Sequence, residues 1–195
     1  MLDGSGDREI STTMAFVRII SQLVKTSELG PRIVPIVPDE ARTFGMEGMF
    51  RQLGIYLGRP ALRAGGQGSG ECLYREDKKG QILEEGINEA GAMSSWIAAG
   101  TSYSTHQPAD AAVLHLLFDV RFQRIGDLAW AAGDSRAHGF LIGGTAGRTT
   151  LNGEGLQHED GHSHPLASTI PELPHLRSDL RLRTGGDHPA KARGR

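Results

Sequence analysis

The opening stretch of the chain sets an amphipathic helical pattern directly before a short β-branched run, and that order restricts the fold more than any other feature. Met14, Val17, Ile20 and Val24 recur at helical spacing and share one face. Ser11 or Thr12 is placed to cap this helix, and Gly30 with Pro31 ends it. Arg32 to Val37 is β-branched, is interrupted by Pro35, and reads as a strand feeding the loop at Asp39 and Glu40.

The alternation returns downstream. Met46 to Leu53 reads as a short helix, and Ile87 to Ala99 as a helix of small residues able to approach a neighbour closely. Gln123 to Ala132 reads as a further helix, followed by a strand at Phe140 to Ile142. Gly143 to His164 is glycine-rich and nearly devoid of apolar residues, which reads as a loop. Strands alternating with helices imply an α/β fold, a parallel sheet sandwiched by helices. In such sheets ligands sit at the carboxyl ends of strands, where Asp39-Glu40 and Gly143-Gly144 are placed.

A length of 195 residues is enough for one domain with a proper core. The net charge of −2 argues against electrostatic binding of nucleic acid or a membrane surface. Cys72 is the single cysteine, which excludes an intrachain disulfide and a cysteine-built zinc site and fits a reducing compartment. No apolar run reaches membrane-spanning length, and Met1 to Ile10 is too polar for a signal peptide, so the expected location is cytoplasmic. Three stretches depart from the alternation. Leu57 to Leu73 is rich in Gly, Arg and Ala without a period, and Gln107 to Arg121 mixes Asp, His and Arg into a supposed strand. Pro171 to Arg195 is rich in Arg and Pro. By composition these are two surface loops and a disordered tail.

Two motifs bear on chemistry. Glu89 opens the small-residue helix, where it is either a surface charge compensating the helix dipole or a carboxylate able to share a proton with a heteroaromatic nitrogen. His158-Glu159-Asp160-Gly161-His162 matches H-E-x-x-H, the signature of zinc hydrolases, which works only on a helix. Gly153, Gly155, Gly161 and Pro165 argue against a helix there, leaving a looser metal site at His158, His162 and His164, or a loop bonded to itself.

Taken in order, the runs DEARTFGMEG, GQILEEGINEAGA and TTLNGEGLQHEDGHSH are too long and irregular to arise from helix or strand physics. They resemble the homodimeric-type pyruvate dehydrogenase E1 component, over residues 6–56, 74–105 and 122–170. The resemblance implies a transketolase-like pyrimidine-binding domain at 1–170, interrupted at 57–73 and 107–121, with an aberrant tail at 171–195. It implies thiamine diphosphate as cofactor, pyruvate as substrate, a dihydrolipoyl acyltransferase (E2) whose lipoyl group is acetylated, and a homodimeric parent enzyme.

By the same resemblance Glu89 hydrogen-bonds N1′ of the aminopyrimidine and Ile87 packs against that ring. His158 handles protons near substrate or lipoyl group, and Asp39 and Glu40 lie near the active centre. No protein ligand to magnesium falls among these residues; the family carries that set on an N-terminal domain, so the chain is expected to be an inactive fragment or a non-functional remnant.

The three odd stretches coincide with the places where the resemblance fails. Codons for Ala112 to Phe122, read one base later, can spell P-F-Y-I-Y-F-S-M-F-G-F, where the family has an aromatic strand. Leu57 to Leu73 and Glu172 to His188 yield comparable matches, so the three segments are expected to be translated out of frame. Reading the bases around codons 57, 107 and 171 tests this. A frame unbroken relative to a full-length relative contradicts it.

Overall fold

The computed structural model describes residues 9–38, 41, 45–58, 75–106, 122–143 and 162–174, and the backbone of 114–118. Helix α1 (Thr12–Leu23) is capped by Ser11, whose Oγ accepts from the Met14 N–H at 3.1 Å. Its buried side is formed by Ala15, Phe16, Val17, Ile19 and Ile20, a broader stripe than the sequence spacing marked out. The helix stops at Leu23, before the expected Gly30-Pro31 signal, and Gly30–Arg32 forms a 3-10 turn leading into strand β1 (Ile33–Val37).

Strand β1 occupies the second place in a four-stranded parallel sheet. The other strands are β4 (Leu83–Glu84), β5 (Leu114–Phe118) and β6 (Phe140–Ile142), in the order β4-β1-β5-β6. A proline in an inner strand is unusual, because it cannot donate to the ladder. Here β4 joins β1 only at Ile36 and Val37, while β5 pairs along Ile33 to Ile36. On the β4 side the Gln81 side chain donates to the carbonyls of Gly30 and Ile33, at 2.8 and 3.0 Å. Residues 33, 35 and 37 direct their backbone polar groups to that side, so the missing Pro35 N–H falls where a side chain has already replaced the ladder.

Successive β1 residues face opposite sides, and each side carries a core. Ile33 and Val37 pack with Phe16, Val17 and Ile20 of α1 and with Met49, Phe50 and Leu53 of helix α2 (Glu47–Leu53). Ile36, with Val34 beside it, packs with Ala92, Met93 and Trp96 of helix α3 (Glu89–Gly100) and with Phe122, Ile125 and Ala129 of helix α5 (Phe122–Asp134). Helices therefore cover both faces, as the α/β pattern requires. The small-residue character of α3 matters at its last residue. A Cβ on Gly100 would stand 3.0 Å from the Ala137 Cβ and from the His138 carbonyl oxygen, so a side chain there would force these neighbours to give by a few tenths of an ångström.

Three expectations need correction. Gln107 to Arg121 is not simply a surface loop, because Leu114–Phe118 forms β5 between β1 and β6. β1 pairs along Leu114 to Leu117 and β6 along Leu116 to Phe118, an arrangement that composition does not report. The loop beginning at Gly143 gives way to helix α6 (Ser163–Ala167) before His164, with Pro165 tolerated in the first turn. The start of the tail is ordered, since Leu173 packs against the core beside α5 and α6 and its N–H bonds the Ile170 carbonyl at 3.1 Å. Residues 59–73 and 175–195 lie outside the described residues.

A small parallel pair, β2 (Ile55–Tyr56) with β3 (Glu76–Asp77), adjoins the main sheet through the Ile55–Ile82 bridge. The short helix α4 (Ser102–Thr105) follows α3. Among the described residues no helix is long and apolar enough to cross a membrane.

Ile36 is fully buried on the α3–α5 side of the sheet. Ile36→Ala is expected to lower stability by about 2–5 kcal/mol in urea denaturation. Trp130→Ala, on the exposed side of α5, should change it by about 0.5 kcal/mol or less.

Candidate functional site

The site is built where the carboxyl ends of β1 and β4 meet the start of α3. The chain leaves β4 at Glu84, and the Glu85 N–H donates to the Val37 carbonyl at 2.9 Å. Gly86 turns the backbone at φ +68°, a left-handed conformation that side chains disfavour. The Asn88 N–H then bonds the Gly86 carbonyl at 2.7 Å, and the Asn88 Oδ1 accepts from the Gly91 N–H at 3.0 Å. Asn88 is thus the N-cap, and Glu89 is the first residue of α3.

A carboxylate is favoured at this position by the orphan amides and the positive end of the helix dipole. Glu89 has a second partner that sequence reading missed. Arg124 Nη1 lies 3.2 Å from one carboxylate oxygen and 3.3 Å from the other. The Glu89 side chain is 21% exposed and that of Arg124 is 61% exposed. Arg124 sits in the first turn of α5, where the dipole disfavours a cation, and that misplacement was the available signal for an anion nearby. Packing of α3 on α5 brings the two together. The pair is weak, worth about 1 kcal/mol or less, because the guanidinium end is in solvent. A ligand donor can therefore replace Arg124 at the carboxylate at small cost.

Ile87 stands beside this carboxylate and is 82% exposed. Its side chain thus lies in solvent at the carboxyl edge of a parallel sheet, two residues before a mostly covered carboxylate. Ile87 and Glu89 lie two residues apart at the turn that enters α3. Asp39, Glu40 and His158 lie outside the described residues. Gly143 follows the end of β6 and is exposed, while Gly144 lies outside the described residues.

His162, the last residue of the zinc-hydrolase motif, is the N-cap of α6, at φ −124° and ψ −12°, while residues 158–161 lie outside the described residues. No group of three or more His, Cys, Asp or Glu side chains able to hold a metal ion occurs among the described residues.

Residues 1–179 match the family described as pyruvate dehydrogenase E1 component middle domain. The matched range runs through 57–73 and 107–121, the segments whose composition departs from the rest. A Pseudomonas aeruginosa protein named pyruvate dehydrogenase E1 component is 81% identical over 173 residues, which is 88% of this chain and 19% of that protein. Proteins of the same name from Cupriavidus necator and Escherichia coli K12 are 57% and 58% identical over 88% and 84% of this chain. They too are much longer, so the chain spans 18–19% of the length of these relatives.

The Asn88 cap sets the direction in which Glu89 leaves the sheet. Asn88→Ala is expected to cost about 1 kcal/mol, measured by urea denaturation, whereas Asn88→Gly should cost only a few tenths.

Proposed function

The chain belongs to the pyruvate dehydrogenase E1 component middle-domain family, and from that membership we propose that it is the part of such an enzyme that receives the aminopyrimidine half of thiamine diphosphate. The observation carrying the proposal is Glu89: a partly covered carboxylate, first in its helix, paired only weakly to Arg124, with exposed Ile87 alongside. Its surroundings are of the transketolase-like, pyrimidine-binding type, consistent with the four-stranded parallel sheet and its two helical layers.

The donor set fits the pyrimidine chemically. A carboxylate accepts a hydrogen bond from a protonated ring nitrogen and shares that proton, while an apolar neighbour covers the ring face. When bound, thiamine diphosphate supplies the electron sink needed to release carbon dioxide from a 2-keto acid. The protein's part is to hold the ring and to keep a proton at N1′. Glu89 does the second, and Arg124 steadies the carboxylate until a ring nitrogen takes its place. His158 is assigned to proton handling at the substrate or lipoyl end, and Asp39 and Glu40 to the neighbourhood of the active centre.

The parent enzyme then decarboxylates pyruvate in the cytoplasm, as a homodimer, and passes the acetyl group to the lipoyl group of a dihydrolipoyl acyltransferase. The present chain does not perform this reaction alone. One charge-assisted hydrogen bond and one apolar contact stabilise a ligand by roughly 4 kcal/mol, which corresponds to a Kd of about 1 mM.

In a full-length enzyme carrying this domain, Glu89→Gln should reduce turnover by roughly 10²–10⁴-fold while the circular dichroism spectrum stays unchanged, because an amide cannot share the proton at N1′. Titration calorimetry of the 195-residue chain with thiamine diphosphate and magnesium serves as the companion measurement, and no saturation is expected in the micromolar range. Near-normal turnover of Glu89→Gln removes the assignment of Glu89, and saturable micromolar binding removes the claim that this chain is inactive alone.

A further inference from the structure

The turn that carries Glu89 is closed by the Asn88 hydrogen bonds but has little packing around it. Ile87 is 82% exposed, and a Cβ placed on Gly86 would meet nothing within 4 Å. Gly86 at φ +68° has no side chain of its own to restrain the backbone between β4 and α3. A turn without packing takes its direction from the bonds at its ends.

One of those bonds joins the base of the turn to the body of the helix. The Ser95 hydroxyl donates to Oε1 of Glu85, and both side chains are half-buried. Ser95 lies one residue before Trp96, which is buried in the core under α3 and α5. Glu85 is fixed at its other end by its own N–H, which donates to the Val37 carbonyl at 2.9 Å at the carboxyl end of β1. The chain of contacts therefore runs from the sheet, through the Glu85 backbone and carboxylate, to Ser95 and the packed centre of α3. The Glu89 turn is looped out between the two anchors.

We propose that the Glu85–Ser95 hydrogen bond is a brace that sets the position of Glu89, and that Glu85 and Ser95 are positioning residues for the carboxylate. The functional consequence rests on the reading of Glu89 given above; the mechanical part does not. A hydroxyl donating to a carboxylate is stronger than a neutral pair, and partial burial protects it from competing water. Without it the base of the turn is tied to the sheet only by the backbone pairing of β4 and Glu85 with β1, and the α3 residues ahead of buried Ala92 gain freedom to shift about Gly86. The Glu89 carboxylate would then no longer hold one distance from Arg124, or from a ring nitrogen that takes its place. Both anchors lie in the ordered sheet–helix framework, so the brace acts without moving either core.

Amide hydrogen exchange on the full 195-residue chain tests the brace, together with carbon-13 NMR of the Glu89 carboxyl. In Ser95→Ala, the amides of Glu85, Gly91 and Ala92 are expected to exchange about tenfold faster, the loss of protection that accompanies one charge-assisted hydrogen bond. Amides of α1 and α5 should keep their rates. The dependence of the Glu89 carboxyl resonance on the Arg124→Gln substitution should shrink in the same variant. Ser95→Thr retains a hydroxyl and should restore both readouts, and Glu85→Gln, which retains an acceptor, should restore most of the protection.

Unchanged exchange at Glu85, Gly91 and Ala92 overturns the brace. Faster exchange spread equally over α1 and α5 also overturns it, because Ser95 would then support the whole domain rather than the turn. Failure of Ser95→Thr to rescue does the same. These outcomes are read without turnover, so they are separate from the fate of Glu89→Gln, which judges the chemistry alone.

Discussion

Two hydrogen bonds from one side chain allow this sheet to exist in the order observed. Gln81 donates to the carbonyls of Gly30 and Ile33, along the edge of β1 where Pro35 has no N–H to offer. An inner strand with a gap in its ladder would leave buried polar groups unsatisfied, at a cost of about 1–3 kcal/mol each. With Gln81 in place, β1 takes β5 along one edge and β4 at its carboxyl end along the other. Ile33 and Ile36 can then be fully buried on opposite faces. The bond from Glu85 to Val37 follows from the same pairing, and it places the turn bearing Glu89 at the carboxyl edge.

Electrostatics at that edge come from two helices rather than one. The N-terminus of α3 favours the Glu89 carboxylate, and the first turn of α5 holds Arg124 against its own dipole. The two charges meet because small residues and flat apolar side chains let α3 and α5 lie close over the sheet. Since the guanidinium is mostly in solvent, the pair neutralises without locking.

Family membership and local geometry answer different questions here. The match over residues 1–179 identifies the domain, while the relatives are several times longer, and their name describes the whole of them. What the chain itself contributes is narrower: a carboxylate on a capped helix, an exposed apolar neighbour, and a sheet edge that presents both. The strand at Leu114–Phe118 is apolar apart from His115, so this framework persists through a segment whose charged residues, Asp110, Asp119 and Arg121, lie outside the strand. Backbone pairing on both sides tolerates such a change more readily than side-chain packing does, because the ladder does not depend on residue type.

Several features were legible from residues alone because their causes are local. The helix at Thr12–Leu23, the strand at Ile33–Val37, the strand at Phe140–Ile142 and the small-residue helix opening at Glu89 all follow from periodicity, β-branching and capping within a few residues. Irregular runs such as GINEAGA carried the family, since nothing in secondary-structure physics would produce them. Other features were decided only in three dimensions. Gln81 repairing the ladder beside Pro35, Arg124 reaching Glu89 from another helix, Ser95 holding Glu85, and β5 pairing in the middle of the sheet each join residues distant in sequence. Propensity and pattern register what a residue prefers near its neighbours in the chain. These contacts depend on where the rest of the chain has been packed.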